Sequence, residues 1–204
     1  MNRIYKVLIC AFMIFTSVAY SVSAKPETDL VSKLVSDGWE VNLVTYDEMI
    51  SQVAEFENKT IEEVMEEIPA PKNKASNQYL STGRGFKVTS KYYPRVVFYL
   101  NIETNSNGVM TDINSVVKTT LDRTNTLSNS SVTSKQFGGE VYVHLQDSKN
   151  LYFFVNGDFY DNGTTTHTGS GEADIKDKVT VKYQIQYESN YYAYCFYEET
   201  LSIK

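Results

Sequence analysis

From residue 79 onward the hydrophobic pattern repeats every second residue, and this limits the chain more than any other feature. In Arg95 to Glu103, Val96, Phe98, Leu100 and Ile102 share one face, while Asn101 and Glu103 share the other. The same period runs through Val109, Thr111, Ile113, Ser115 and Val117, then Val141, Val143 and Leu145 against Tyr142 and His144. Val179, Val181, Tyr183, Ile185 and Tyr187 continue it, and Tyr191 to Tyr197 is a further aromatic strand. Leu151 to Val155 is apolar on both faces, as a central strand is. Asn105 to Gly108 and Asp147 to Asn150 supply turns. About eight short alternating strands with no helices between them predict an antiparallel sandwich.

The segment before it differs in charge and in period. Residues 25–71 hold 3 Lys and 12 Asp plus Glu, net −9, whereas residues 72–204 hold 14 Lys plus Arg and 13 acids, net +1. Trp39, Val41 and Leu43 alternate and read as a short strand. Asp47 to Phe56 then gathers Met49, Ile50, Val53 and Ala54 on one helical face. Thr60 followed by Glu63 matches a capping box, with Ile61, Val64, Met65 and Ile68 as the apolar stripe of a second helix. Pro69 and Pro71 stop it. The predicted class is α+β, mainly β: a short N-terminal helical pair, a linker over 72–78, and an antiparallel β-sandwich over 79–204. The helical segment is either part of the fold, a partner-binding element or a removable pro-segment. Neither part carries a basic stripe, which argues against nucleic acid as a partner.

The first 24 residues have the three parts of a secretory signal: Arg3 and Lys6, the apolar run Val7 to Phe15, and a small-residue stretch ending Val22-Ser23-Ala24. Cleavage after Ala24 is expected, with an extracellular product and no membrane-spanning segment after it. Cys195 is then the one remaining cysteine, which rules out an internal disulfide. Few disulfides in an exported chain point to a bacterial source. The N-x-S/T sequons at Asn58, Asn129 and Asn162 carry no weight in that setting.

The composition is rich in tyrosine, 16 Tyr against 1 Trp, 2 His and 2 Cys. With the core faces assigned, Tyr99, Tyr142, Tyr192 and Tyr194 fall on outward positions. Tyr pairs an apolar ring with a polar tip, which suits sugar faces and protein partners. The competing reading is that a second layer covers that face. The loop read over Asn156 to Gly163 offers Asp158, Asp161 and Asn162 as oxygen ligands, but its spacing departs from an EF-hand at Tyr160 and Gly169, so a turn is preferred to a calcium site. Cys195 with His144 or His167 would be needed for nucleophilic catalysis, yet Tyr191, Ala193, Cys195 and Tyr197 share a strand face that reads as core. Neither Gly-x-Ser-x-Gly nor His-Glu-x-x-His occurs. No catalytic residue, cofactor or metal is expected.

Residues 134–143, SKQFGGEVYV, and 155–166, VNGDFYDNGTTT, together with the Tyr46-Asp47-Glu48-Met49-Ile50 helix, resemble small secreted proteins of Gram-positive bacteria with no assigned activity. The resemblance implies an exported bacterial protein and transfers no site residue. The leading expectation is a non-enzymatic extracellular binding protein for cell-surface glycan or a protein partner. A hydrolase with unidentified carboxylates is an alternative. So is a secreted toxin or immunity factor, with the Ser/Thr-rich stretch Thr111 to Lys135 as a pore stem.

Overall fold

The computed structural model describes residues 28–71, 78–106, 108–126, 134–169 and 171–203. The signal segment, most of the linker and the Asn129 sequon lie outside these residues. The elements in order are α1 (Thr28–Ser36), β1 (Trp39–Thr45), α2 (Tyr46–Glu57), α3 (Ile61–Glu67), β2 (Gln78–Gly85), β3 (Arg95–Thr104), β4 (Met110–Asp122), β5 (Gln136–Asp147), β6 (Asn150–Thr168), β7 (Ala173–Asp174) and β8 (Lys178–Ser202). The chain is mainly β, in two antiparallel sheets, as the alternating pattern predicts.

The first sheet has the order β1-β2-β3-β4-β7. Both helices after β1 start on a full capping box, Thr45 with Glu48 and Thr60 with Glu63, each threonine hydroxyl accepting from the third residue's N–H. Asn58 ends α2 in the left-handed region at φ 54°, which asparagine tolerates. β1 pairs along its whole length with β2, from Trp39 opposite Arg84 to Thr45 opposite Gln78. The acidic segment therefore supplies both an edge strand and a helical layer to the same sheet.

That sheet has an apolar layer on each side. Val96, Phe98 and Leu100 of β3 join Trp39, Phe137, Val141, Phe153 and Leu201 between the sheets. Val97 and Tyr99 face the other way, against Met49, Ile50, Val53 and Val64 of α2 and α3. Two β-bulges in β4 flank Val116, which lies opposite Leu100. They turn Val116 into the inter-sheet core and leave Val117 against the helices, departing from the strict alternation expected of this strand. The stretch read as a pore stem thus begins, over Met110–Asp122, as an interior strand between β3 and β7.

β5, β6 and β8 form the second sheet, each bonded to both others. The segments expected as two strands, 179–188 and 191–197, are one long strand, β8. It runs beside β6 from Asn150 opposite Ser202 to Thr168 opposite Lys182, while its start, Lys178 to Tyr183, pairs with β5. Register shifts near Asn162 and Tyr160, with Tyr187 at φ 56° and Asn190 at φ 58°, let this hairpin bend back on itself.

The two stretches that carry the family resemblance meet here. Gly139 lies opposite Gly157, and the Phe137 ring closes over both. A Cβ on Gly139 would run into Asn156 O, and one on Gly157 into Gly138 O. Only glycine permits that backbone approach. The residues Asp158 to Asn162, expected as a turn or calcium loop, are strand: Asp158 sits between Gly138 of β5 and Tyr194 of β8. Their Asx and Gly content serves the bend and the close approach rather than a loop.

Candidate functional site

The four tyrosines named from the sequence have different surroundings. Tyr99 is fully buried, and its hydroxyl donates to Gln52 Oε1 at 2.9 Å. Its face of β3 does point away from the sandwich core, but α2 covers it, which corrects the expectation of exposure. Tyr192 is half-buried at a register shift. Its ring stands edge-on to Tyr92, its hydroxyl bonds Thr89 Oγ1 at 2.8 Å, and Lys135 Nζ lies 4.1 Å from its centroid. That ring is engaged in packing and does not form an open platform.

Tyr142 and Tyr194 lie on the solvent side of the second sheet, with neighbours the sequence reading did not group with them. Tyr142 stacks on Phe154 at 4.9 Å with 11° between the planes, and lies 6.2 Å from Tyr152. Phe154 is 5.9 Å from Phe196, and Tyr160 is 6.0 Å from Tyr191. Tyr194 is 56% exposed, Phe196 53% and Tyr191 61%. The register places Phe196 opposite Asn156, Tyr194 opposite Asp158 and Tyr191 opposite Tyr160. Alternate residues on one strand are about 7 Å apart, so the stripe from Tyr152 to Tyr160 runs for about 27 Å.

Midway along it the rings stop at a hollow of about 490 Å³, lined by Glu140, Asn156, Asp158, Lys182, Gln184 and Tyr194, with Gly138, Gly139 and Gly157 at its base. The side chains that Gly139 and Gly157 lack would point inward, against the Phe137 ring, and not into the hollow. The tyrosine tips are held: Tyr152 donates to Glu198 Oε2 at 2.6 Å, and Tyr194 to Asn156 Oδ1 at 2.9 Å. The hollow thus combines a positioned ring wall with carboxylate, amide and ammonium groups. Flat rings accept the C–H faces of a sugar, and the planar polar groups match its hydroxyls.

Chemistry of another kind is concentrated under the helical layer. Glu57, at the end of α2, is 2% exposed at its side chain and sits 3.0 Å from Lys118 Nζ, 3.1 Å from Lys59 Nζ and 2.9 Å from His167 Nε2. Glu67 binds both lysines. Burial pushes the Glu57 carboxyl up, but His167 and Lys118 outweigh it and hold it at about 2. Glu57, Glu67 and His167 bring three ligand atoms within 4.8 Å of one another. A divalent cation there would have to displace two ammonium groups that already neutralise the carboxylates, so the donor set suits an internal ion-pair network better than a metal centre. Nothing in the pattern reveals that Glu57 meets Lys118 and His167, 61 and 110 positions away.

Cys195 is buried, its thiol pushed up to about 11 by burial, with Sγ 4.0 Å from Lys87 O. His167, one of its two candidate partners, is engaged with Glu57 and Lys59.

No protein family, curated protein or solved structure matches this chain. Its function is therefore read from the geometry of these sites.

Proposed function

We propose that this chain is an exported, non-enzymatic binding protein that holds a glycan chain of the cell surface on the outer face of β5, β6 and β8. The observation that carries this reading is the stripe of Tyr142, Phe154, Phe196 and Tyr194 beside a glycine-floored polar hollow. A soluble domain that leaves several contiguous rings in water has a use for them. A polysaccharide fits this surface because it is itself an alternation of apolar ring faces and hydroxyl edges, repeated along a line. The hollow would seat one residue against Tyr194, and the rings on either side would carry its neighbours.

Export rests on the three-part N-terminal signal, and a Gram-positive source rests on the resemblance described above. Co-sedimentation of the purified protein with insoluble cell-wall glycan tests the reading, with soluble oligosaccharide as competitor. Saturable pelleting that the competitor relieves is expected. Absence of pelleting with every wall glycan tried would overturn it and leave a protein as the partner of the same face.

A further inference from the structure

A second cavity, of about 430 Å³, opens at the end of α2 between the two sheets, on a different part of the molecule from the aromatic stripe. Arg123, Gln136, Thr165, Thr164, Asn58 and Ser134 line it. The Arg123 guanidinium is held in place by Nη1, which donates to Gln136 Oε1 at 2.6 Å, Thr165 Oγ1 at 3.0 Å and Lys135 O at 3.2 Å. Gln136 Oε1 is in turn fixed by the N–H and the hydroxyl of Thr165, at 3.0 and 2.9 Å. All of these acceptors are neutral.

The other two described arginines each hold a carboxylate: Arg84 binds Glu199, and Arg95 binds Asp122 and Glu40. Among the described residues no carboxylate oxygen lies within 4.0 Å of Arg123. Asp122, its neighbour in sequence, is taken by Arg95 Nε at 2.8 Å and by the Thr124 N–H at 2.9 Å. Burial depresses the Arg123 pKa, and the nearby Tyr92, Tyr183 and Asp122 offset it only in part. Buried charges are normally paired, and a planar guanidinium pairs best with a two-oxygen anion.

We propose that this cavity is an oxyanion site, in which Arg123 receives the carboxylate, sulfate or phosphate group of a small ligand and the surrounding amides and hydroxyls complete its hydrogen bonds. The site does not depend on the glycan reading of the aromatic face. Two carboxylates line the cavity and oppose an anion: Glu55, exposed at the rim, and Asp122, whose charge Arg95 already holds.

Titration calorimetry with inorganic sulfate, inorganic phosphate and glucuronate, against uncharged glucose, tests it. At least one anion is expected to bind saturably where glucose does not. Arg123→Gln should weaken that binding tenfold to a hundredfold, the loss of a charged hydrogen bond. Glu55→Gln should tighten it a few-fold, and Tyr194→Ala should leave it unchanged. Tighter glucuronate identifies an acidic sugar as the source, and tighter sulfate or phosphate a free ion. Failure of all three anions to bind overturns the proposal, as does binding that Arg123→Gln leaves intact. If Arg123→Gln does not fold, an unchanged affinity in Glu55→Gln overturns it instead.

Discussion

Lys118 Nζ lies 3.0 Å from Glu57 Oε1, with the two side chains 1% and 2% exposed. One comes from the middle of β4 and the other from the last turn of α2, so this pair ties the helical layer to the first sheet. Removing Lys118 leaves the buried Glu57 carboxylate with Lys59 and His167 but without its most deeply buried counter-charge. Lys118→Met should lower the unfolding free energy by about 3–5 kcal/mol, read from urea denaturation. Because the cost is mostly the under-compensated charge, Lys118→Met with Glu57→Leu should cost clearly less than the sum of the single changes. Strict additivity would show that the pair is not coupled.

The same cluster sets the acid limit of the fold. The Glu57 carboxyl falls from 4.5 in its ordinary state to about 2 in the folded chain. A carboxyl depressed in the native state stabilises it above the ordinary value, and that stability is lost as pH falls from about 4.5 through about 2. The full loss is about 3 kcal/mol at 1.36 kcal/mol per unit. Melting temperature followed down this window should fall steeply for the native chain. Glu57→Gln should start lower at neutral pH and show a shallower decline. An equal slope in both would place the acid sensitivity elsewhere.

Gly157 lies where a side chain has no room, its Cβ position blocked by Gly138 O and the Phe137 ring. Gly157→Ala should destabilise the second sheet by at least about 1–3 kcal/mol, the usual cost of overpacking, since the obstacle is backbone and cannot swing aside. Gly108→Ala is a useful contrast. Nothing lies within 4 Å of its added methyl, so only its φ of 78° opposes the change. Chemical denaturation of both should rank Gly157→Ala as the more damaging.

Much of the fold could be read from periodicity, and the reasons it could are local. Alternation marked β3 and β5, and Thr60 and Glu63 marked the start of α3. What escaped was whatever depends on the second neighbour of a surface. Tyr99 and Tyr194 both point away from the core in a strand pattern, yet one meets α2 and the other meets water. The sequence of β3 holds no mark of that difference, because burial by a helix from earlier in the chain is a tertiary event. The long hairpin β6–β8 was missed for the opposite reason. Its Asx and Gly residues signal turns, and here they serve a bend and a close approach within continuous strands. Glu57 and Lys118 were missed because their partnership joins the helical layer to the first sheet across 61 positions of chain.

The two tyrosines therefore separate structure from recognition. Tyr99→Ala empties a fully buried site and should cost about 3–5 kcal/mol of stability. Where the variant remains folded, its glycan binding should be intact. Tyr194→Ala with Phe196→Ala removes rings that are more than half exposed, so it should change stability little and abolish binding.

Glycan binding by the β5–β6–β8 face is tested most directly by mapping backbone amide shifts in the labelled protein during titration with a wall-derived oligosaccharide. The perturbed amides should cluster on Tyr142, Phe154, Asn156, Gly157, Tyr194 and Phe196, with Tyr99 and the α2 amides unmoved. Saturable binding whose shifts fall elsewhere, with the β5–β6–β8 face silent, would contradict it.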